Sequence, residues 1–382
     1  MRVRAAQPGE GRAIAGLWRE LWDAHEAWGG YAASRDPRVY AQLAGRLEED
    51  ARVRAGQAVL GRHVHLIASR SGVVAGQVEG WFERHGTDPT TPHTCEVRSL
   101  IVSASMRRSG TGQALLETLA RTAHRLGHGT GVVLAAEVLE PNPAHSFYAR
   151  MGYAPVAWSA RIGSDAESVP VASSGAGRPF RARIAGPGDA LAVALLETAL
   201  AARRRAAGDV RFDRPRAVEA TLVGAIAGHL GRVDPGPMDP VELVAVDAQG
   251  QVRASATFAV GTLDPPFVPC RRAVVGRFAV DPAAEPHPLM APLIALGRRL
   301  AAQRGAARVE LTDLTAPKTP IYDAALACGA VPWSRIVTRQ IPGTALARAR
   351  RPAPAHPARR GPAPRVRAAE VPQKCSRPSY GL

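Results

Sequence analysis

"MRRSGTGQALLETLARTAHRLG", residues 106–127, opens on two arginines, turns on two glycines and continues as a helix. Leu115, Leu116, Leu119, Ala123 and Leu126 share one face of that helix, the spacing of a helix packed on a sheet. An apolar run, "CEVRSLIV" (95–102), precedes it and another, "GVVLAAEV" (131–138), follows; both have strand composition. Strand, glycine turn and helix N-terminus together form an arrangement that binds phosphate. Free N–H groups and the positive end of the helix dipole point at the ligand, and glycine lets the backbone approach closely. Arg107 and Arg108 add charge suited to a pyrophosphate or a 3′-phosphate. The same residues also make an ordinary strand-to-helix connection, so the motif alone leaves both readings open.

The surrounding sequence is mixed α and β. A short strand at 3–6 precedes an amphipathic helix, "GRAIAGLWRELWDAHEAW", and a second helix covers roughly 37–53. "HVHLIASR" and "GVVAGQVEGWF" read as strands around a Ser-Gly turn at 71–72. After residue 138 come a short helix, "NPAHSFYARM", and a last strand, "YAPVAWSARI".

This pattern occurs twice. "RAAQPGE" (4–10) returns as "RIAGPGD" (183–189), displaced by 179. Gly72 in "SGVVAG" matches Gly250 in "QGQVRA", and Val102 in "LIVSAS" matches Val280 in "FAVDPA", both displaced by 178. Gly152 in "NPAHSFYARMGYAP" matches Gly329 in "TPIYDAALACGAVP", displaced by 177. Four anchors at a near-constant spacing imply a duplicated domain. The expected divisions are 1–162, a Gly/Ser-rich linker at 163–179, a second copy at 180–342, and a tail at 343–382.

Composition narrows the function classes. The chain has 382 residues, enough for two cores, and 46% of them are hydrophobic. The four cysteines, Cys95, Cys270, Cys328 and Cys375, form no CxxC pair, which suits a reducing cytosol. "MRVRAAQPGEGRA" has no apolar run of signal-peptide type, and no 18-residue apolar segment is present, so a cytoplasmic protein is expected. The net charge is +16, of which the tail, with eight Arg, Lys374 and Glu370, contributes +8. Such a Pro/Ala/Arg-rich tail is expected to be disordered and could bind polyanions without specificity; nucleic acid is not the expected partner. His63 and His65 share a strand face, but no third ligand at metal-site spacing accompanies them, so no metal is expected.

The order strand, "R-x-x-G-x-G", helix, strand, then "N-P-A-x-x-F-Y-x-x-x-G-Y" resembles the GNAT family of acyl-CoA-dependent N-acetyltransferases. The resemblance covers residues 1–162 in element order and is sharpest from 95 to 155. It implies an α+β (mixed α/β) fold of two tandem domains, each a twisted mixed sheet flanked by helices. It also implies acetyl-CoA as cosubstrate and direct attack of a primary amine on the thioester. Residue by residue, Arg107, Arg108, Ser109, Gly110, Thr111 and Gly112 would hold the pyrophosphate. Ile101 and Val102 would offer backbone groups to the pantetheine arm, and Asn142 would contact the cofactor. Tyr148 would protonate the leaving thiolate, and Glu96 sits where several members carry a general base. The residues themselves also allow plainer roles. Glu96 could be a solvated strand residue, with water as the base. Asn142 before Pro143 reads equally as an N-cap followed by Pro at N1, and Tyr148 as packing beside Phe147 and Met151.

The second copy supplies an internal control. A displacement of 178 carries 107–112 onto "EPHPLM" (285–290). Glutamate replaces Arg107, and Pro288 and Met290 replace Gly110 and Gly112; proline has no N–H and methionine blocks close approach. The later motif carries Tyr148 onto Ala325 and Asn142 onto Thr319. The second copy is therefore expected to keep the scaffold without the cofactor loop and to pack on the first. The expected function is acetyl transfer to a small-molecule amine, or less readily a peptide, in the N-terminal copy. The alternative is a non-catalytic acyl-CoA-binding or regulatory module. The acceptor is expected near "WDAHEAWGGYAASRDPRVY" (22–40), whose aromatic residues and mixed charges select no one substrate class.

Overall fold

A computed structural model describes residues 1–83, 93–127, 131–164, 180–209, 216–230, 239–263, 266–316 and 318–343. The expected linker beyond Ser164 and the expected tail beyond Gly343 lie outside the described residues.

The N-terminal half runs β1 (Arg2–Arg4), α1 (Gly11–Ala27), α2 (Pro37–Arg54), β2 (Val59–Leu60), β3 (His63–Arg70), β4 (Val73–Glu83) and β5 (His93–Val102). It continues through α3 (Thr111–Leu126), β6 (Val132–Leu139), α4 (His145–Arg150) and β7 (Ala154–Gly163). The C-terminal half runs β8 (Arg181–Ile184), α5 (Ala190–Ala206), α6 (Arg216–Leu230), β9 (Val241–Val246), β10 (Val252–Leu263) and β11 (Cys270–Val280). Then come α7 (Pro286–Gln303), β12 (Arg308–Leu314), α8 (Pro320–Ala327) and β13 (Val331–Ile341).

The duplicated opening motif is a capped turn. Glu10 accepts from Arg4 at 2.5 Å and from the Gln7 N–H at 2.8 Å. Asp189 likewise accepts from Arg183 at 2.6 Å and from the Gly186 N–H at 2.8 Å. A carboxylate that satisfies both a guanidinium and an orphan amide fixes how the chain enters the next helix.

Among the described residues thirteen strands form one continuous sheet, in the order β1-β3-β4-β5-β6-β13-β7-β12-β11-β10-β9-β8, with β2 paired to β3. The two halves mirror each other across the centre, where their last strands change places. β13 pairs antiparallel with β6 from Ser334↔Leu139 to Ile341↔Val132. β7 pairs antiparallel with β12, beginning at Gly163↔Arg308, and with β13. Packing follows the pairing. Val337 and Ile341 of β13 join the N-terminal core, and Trp158, Ala160 and Ile162 of β7 join the C-terminal core. The expected linker begins at 163, but Gly163 is still in β7 and paired to Arg308, and the sheet runs unbroken across the two halves. Each half would otherwise end on an open edge at β6 or β12, and the exchange covers both.

Within the N-terminal half, period-2 alternation sorts the side chains to two layers. Val64, Leu66, Val78, Cys95, Val97, Leu134 and Ala136 face α3, whose Leu115, Leu116 and Leu119 are fully buried against them. Burial of each such leucine contributes about 1.5–3 kcal/mol relative to an exposed one. Ile67 faces the opposite layer, where Ile14 and Ala15 of α1 meet Leu47 and Ala51 of α2. The first strand is shorter than the expected 3–6 and ends at Arg4, where the capped turn begins.

Candidate active site

β5 and β6 pair in parallel from His93↔Val132 to Val97↔Ala136. Beyond that rung both strands continue, to Val102 and Leu139, without pairing to each other. The cause lies on the far side of β5. Its register with β4 shifts between Glu79↔Arg98 and Gln77↔Ile101, and Ser99 sits at φ 54. A bulge of this kind bends its strand, here opening a wedge beside β6. The C-terminal half repeats the device at a displacement of 178. The β10–β11 register shifts between Thr257↔Gly276 and Ser255↔Ala279, Arg277 takes φ 55, and β11–β12 pairing stops at Val275↔Leu311. A non-glycine residue at positive φ costs about 1–2 kcal/mol, so both halves hold the bulge against that strain.

The loop from β5 to α3 lies at the mouth of the N-terminal wedge. Arg108 at φ 61 and Gly110 at φ 80 turn the chain, and Gly110 caps α3. A Cβ at Gly110 would meet nothing within 4 Å, so the glycine is required by φ and not by space. At Gly112 a Cβ would come within 3.2 Å of Phe147 Cζ, so here closeness matters. The Ser109 hydroxyl donates to Met106 O at 2.6 Å and lies 2.8 Å from Thr111 Oγ1. Among the described residues no protein acceptor meets the backbone N–H groups of Arg108 through Gln113. Arg107 and Arg108 are exposed beside them. Six amides at a helix N-terminus flanked by two guanidiniums make a cradle for an anion.

The corresponding C-terminal loop has another construction. α7 starts at Pro286, three residues before the counterpart of Thr111, so an added helical turn fills the place of the cradle. Pro286 and Pro288 carry no N–H, Asp281 accepts from the Ala283 N–H at 2.9 Å, and Met290 is fully buried in the core.

The remaining sequence-derived residues fall into two groups. Ile101 is buried opposite Gln77, and the Val102 carbonyl accepts from Arg107 Nε at 3.2 Å. Tyr148 is buried in the α3-side core, its ring 5.5 Å from Phe147 and 5.2 Å from Tyr153. Burial pushes its phenol above the ordinary value, so it keeps its proton at neutral pH. Asn142 is not the helix cap. α4 begins at His145, and Asn142 Oδ1 accepts from the Ala144 N–H at 2.9 Å, closing a turn ahead of the helix. Glu96 lies on the other face of β5, because its neighbours Cys95 and Val97 face α3 with Tyr148. It is paired with Arg98 at 2.5 Å, and Arg98 lies over the Trp81 ring at 5.6 Å. Glu96 and Tyr148 are therefore on opposite faces of the sheet.

His63 and His65 stack on each other at 6.1 Å, and His63 stacks on Trp81 at 4.5 Å. His65 Nε2 is 3.2 Å from Gln77 Oε1, and His63 Nε2 is 3.7 Å from Glu79. Burial drives His65 towards its neutral form against the pull of Glu79.

Two features went unread in the sequence. The first is a buried ionic cluster where the halves meet. Glu310 of β12 accepts from Arg161 of β7 at 2.6 Å, from Arg272 of β11 at 2.5 Å and from the Tyr31 hydroxyl at 2.9 Å. Arg161 lies between the Trp333 and Tyr31 rings, at 3.0 and 4.6 Å, and donates to Gly29 O at 2.9 Å. Burial alone would raise the Glu310 carboxyl, but Arg272 and Arg161 hold it below its ordinary value. The N-terminal α1–α2 loop is thereby clamped to the C-terminal half, with Ser34 N donating to Pro266 O and Val268 N to Ala32 O. Several residues of the expected acceptor segment 22–40 are engaged here: Trp22 packs on Phe267, and Arg35 pairs with Asp23 and Glu26.

The second is Glu137, the first residue of β6 past the last β5–β6 rung. It is exposed within the cleft, and Ser334 of the exchanged β13 donates to its Oε1 at 2.5 Å. The surrounding protein pushes its carboxyl up, partly offset by Arg272. Its signal was present as the one acid in the apolar run "GVVLAAEV". Among the described residues no group of three or more His, Cys, Asp or Glu is arranged to hold a metal ion, and no helix is long and apolar enough to cross a membrane.

The sequence pattern of the Acetyltransferase (GNAT) family matches residues 17–153. A search of the curated proteins finds no match. A GCN5-related N-acetyltransferase from Sphaerobacter thermophilus superposes with TM-score 0.53 at 18% identity, over 89% of this chain and 95% of that one. A glucosamine N-acetyltransferase region of a fungal multi-domain β-N-acetylglucosaminidase gives 0.50 at 13% identity, over 88% of this chain and 38% of that one. A tandem GNAT protein from the clavulanic acid biosynthesis pathway aligns over 89% of this chain and 98% of that one, at 18% identity and TM-score 0.44. At such identities the likeness is one of fold. The family pattern spans the bulged strand, the glycine turn and α4, so it is the N-terminal half of this chain that carries the GNAT-family match.

Proposed function

We propose that the protein is an acetyl-CoA-dependent N-acetyltransferase that acetylates a primary amine of a small molecule in its N-terminal half. One observation carries this reading: the amide cradle at the mouth of a wedge, present in one half and replaced by a proline-started helix in the other. The pyrophosphate would lie on the N–H groups of residues 108–113 beside Arg107 and Arg108, and the pantetheine arm along the unpaired edge of β5 near Ile101 and Val102. The arm would bring the thioester carbonyl into the gap between β5 and β6. A neutral amine attacks that carbonyl and gives up a proton to a carboxylate or water, and the sulfur leaves as thiolate. Tyr148, protonated at neutral pH, would supply the proton to sulfur.

Thermal unfolding with and without acetyl-CoA tests this on wild type and on Arg107→Glu/Arg108→Glu, whose side chains are exposed and outside the core. Ligand at a hundred times its Kd adds about 2.7 kcal/mol to the folded state. The expected result is a rise in wild-type Tm that the double variant loses without a change in its own Tm. No rise at millimolar acetyl-CoA would refute the reading. A rise without acetyl transfer to any amine would leave a binding module.

A further inference from the structure

We propose that Glu137 is the carboxylate that receives the incoming amine and takes its proton, held in place by Ser334 from the other half of the chain. The inference rests on the acetyltransferase reading above and names the residue that reading leaves open.

Position selects Glu137 over Glu96. Glu96 stands opposite Ala135, inside the paired part of the β5–β6 ladder, and its carboxylate is engaged by Arg98 at 2.5 Å. Glu137 begins the unpaired part, at the opening itself. Its side chain is on the sheet face away from α3, since Ala136 and Val138 occupy the α3-side core. One oxygen is fixed by the Ser334 hydroxyl, while Oε2 has no protein partner among the described residues. A carboxylate with one oxygen anchored and the other open to a cleft is built to accept a proton from a ligand. The charged groups that act on it come from strands beyond β13 in the sheet: Arg272 of β11, Glu310 of β12 and Arg161 of β7. Arg161 and Arg272 both bind Glu310, and among the described residues no arginine forms an ion pair with Glu137.

The step balances. The amine nitrogen forms a bond to the thioester carbon, and one N–H proton passes to Glu137. The C–S bond breaks with its electron pair on sulfur, which takes a proton from Tyr148. Both side chains then reset by exchange with solvent, leaving amide and free CoA thiol. On this account the C-terminal half contributes a positioning residue to the N-terminal site through the exchanged strand.

The test uses the full chain, a panel of tyramine, spermidine and glucosamine as acceptors, and variants Glu137→Gln, Glu96→Gln and Ser334→Ala. Glu137→Gln is expected to lower kcat for the best acceptor at least a hundredfold while leaving the acetyl-CoA-induced rise in Tm unchanged. Glu96→Gln is expected to lose less than tenfold. Ser334→Ala removes a donor that favours the charged carboxylate, so the acid limb of the pH–rate profile should move to higher pH. A Glu137→Gln enzyme within threefold of wild type, or an acid limb unmoved by Ser334→Ala, overturns the proposal. A wild type that neither binds acetyl-CoA nor acetylates any of the three amines overturns the acetyltransferase reading itself, which the thermal shift detects separately.

Discussion

The two halves build the same wedge and finish it differently. Each has a bulge at the same place, with Ser99 and Arg277 at φ 54 and 55, and each parallel ladder stops early. In the N-terminal half the helix starts late and leaves its amides open; in the C-terminal half it starts one turn sooner, on proline. The C-terminal wedge is also occupied, since a Cβ at Gly276 would overlap Thr312 Oγ1. Scaffold and chemistry are therefore separable here. The bulge is kept where no cradle accompanies it, so the bulge belongs to the fold, and the glycine turn is the part the proposed function assigns to the ligand.

The comparison breaks most severely at the centre of the sheet. Removal of residues 331–382 deletes β13 and leaves β6 and β7 each with one of its two ladders and an open edge at the centre of the sheet. Such a chain is expected to lose cooperative unfolding in urea and to aggregate in gel filtration. A stable monomer would mean that β7 can return to β6.

Next in size is the ionic seam. Arg161→Ala leaves Glu310, 1% exposed, without half of its counter-charge, and should cost about 3–5 kcal/mol in denaturant unfolding. A loss under about 1 kcal/mol would show that the halves are joined by backbone pairing alone. This seam was illegible in the sequence. Arg161 and Glu310 are 149 positions apart, and nothing in "WSARI" or "ARVEL" announces a partner. A lone charge in an apolar strand says that a partner exists, not which one, and the same holds for Glu137.

A subtler contrast lies beneath α1 and α5. In the N-terminal half His65 stands opposite Glu79; at the matching rung Glu242 stands opposite Thr257. Burial lifts the Glu242 carboxyl to about 7, against its ordinary 4.5, despite the hydrogen bond from Thr257. The folded state therefore keeps this proton between pH 4.5 and about 7 while the unfolded state has released it, and stability falls as pH rises through that window. Glu242→Gln should flatten the fall and stabilise the protein at pH 8 by on the order of 2–3 kcal/mol. An unchanged slope in urea midpoints from pH 4.5 to 8 would count against it.

The smallest expected effect is a symmetry test. Gly72 and Gly250 hold φ 80 and 79 in the same hairpin turn of each half, and a Cβ at either meets nothing within 4 Å. Alanine at each should cost about 1 kcal/mol from backbone strain alone. Unequal losses in Tm would mean that the two turns are not equivalent in energy.

Sequence by itself determined the duplication, the mixed α/β class, the helix face of Leu115, Leu116 and Leu119, and the glycine turn that starts α3. Each is a local property: a period, a turn residue, a missing N–H, or a spacing that repeats. Tertiary structure alone decided that β13 lies beside β6 and β7 beside β12. "APVAWSARIG" and "VPWSRIVTRQI" have the same strand character, and backbone N–H and C=O groups pair without regard to which strand offers them. The choice between two such partners is made by side chains far apart in the chain. Val337 and Ile341 find a place in the N-terminal core, and Arg161 finds Glu310.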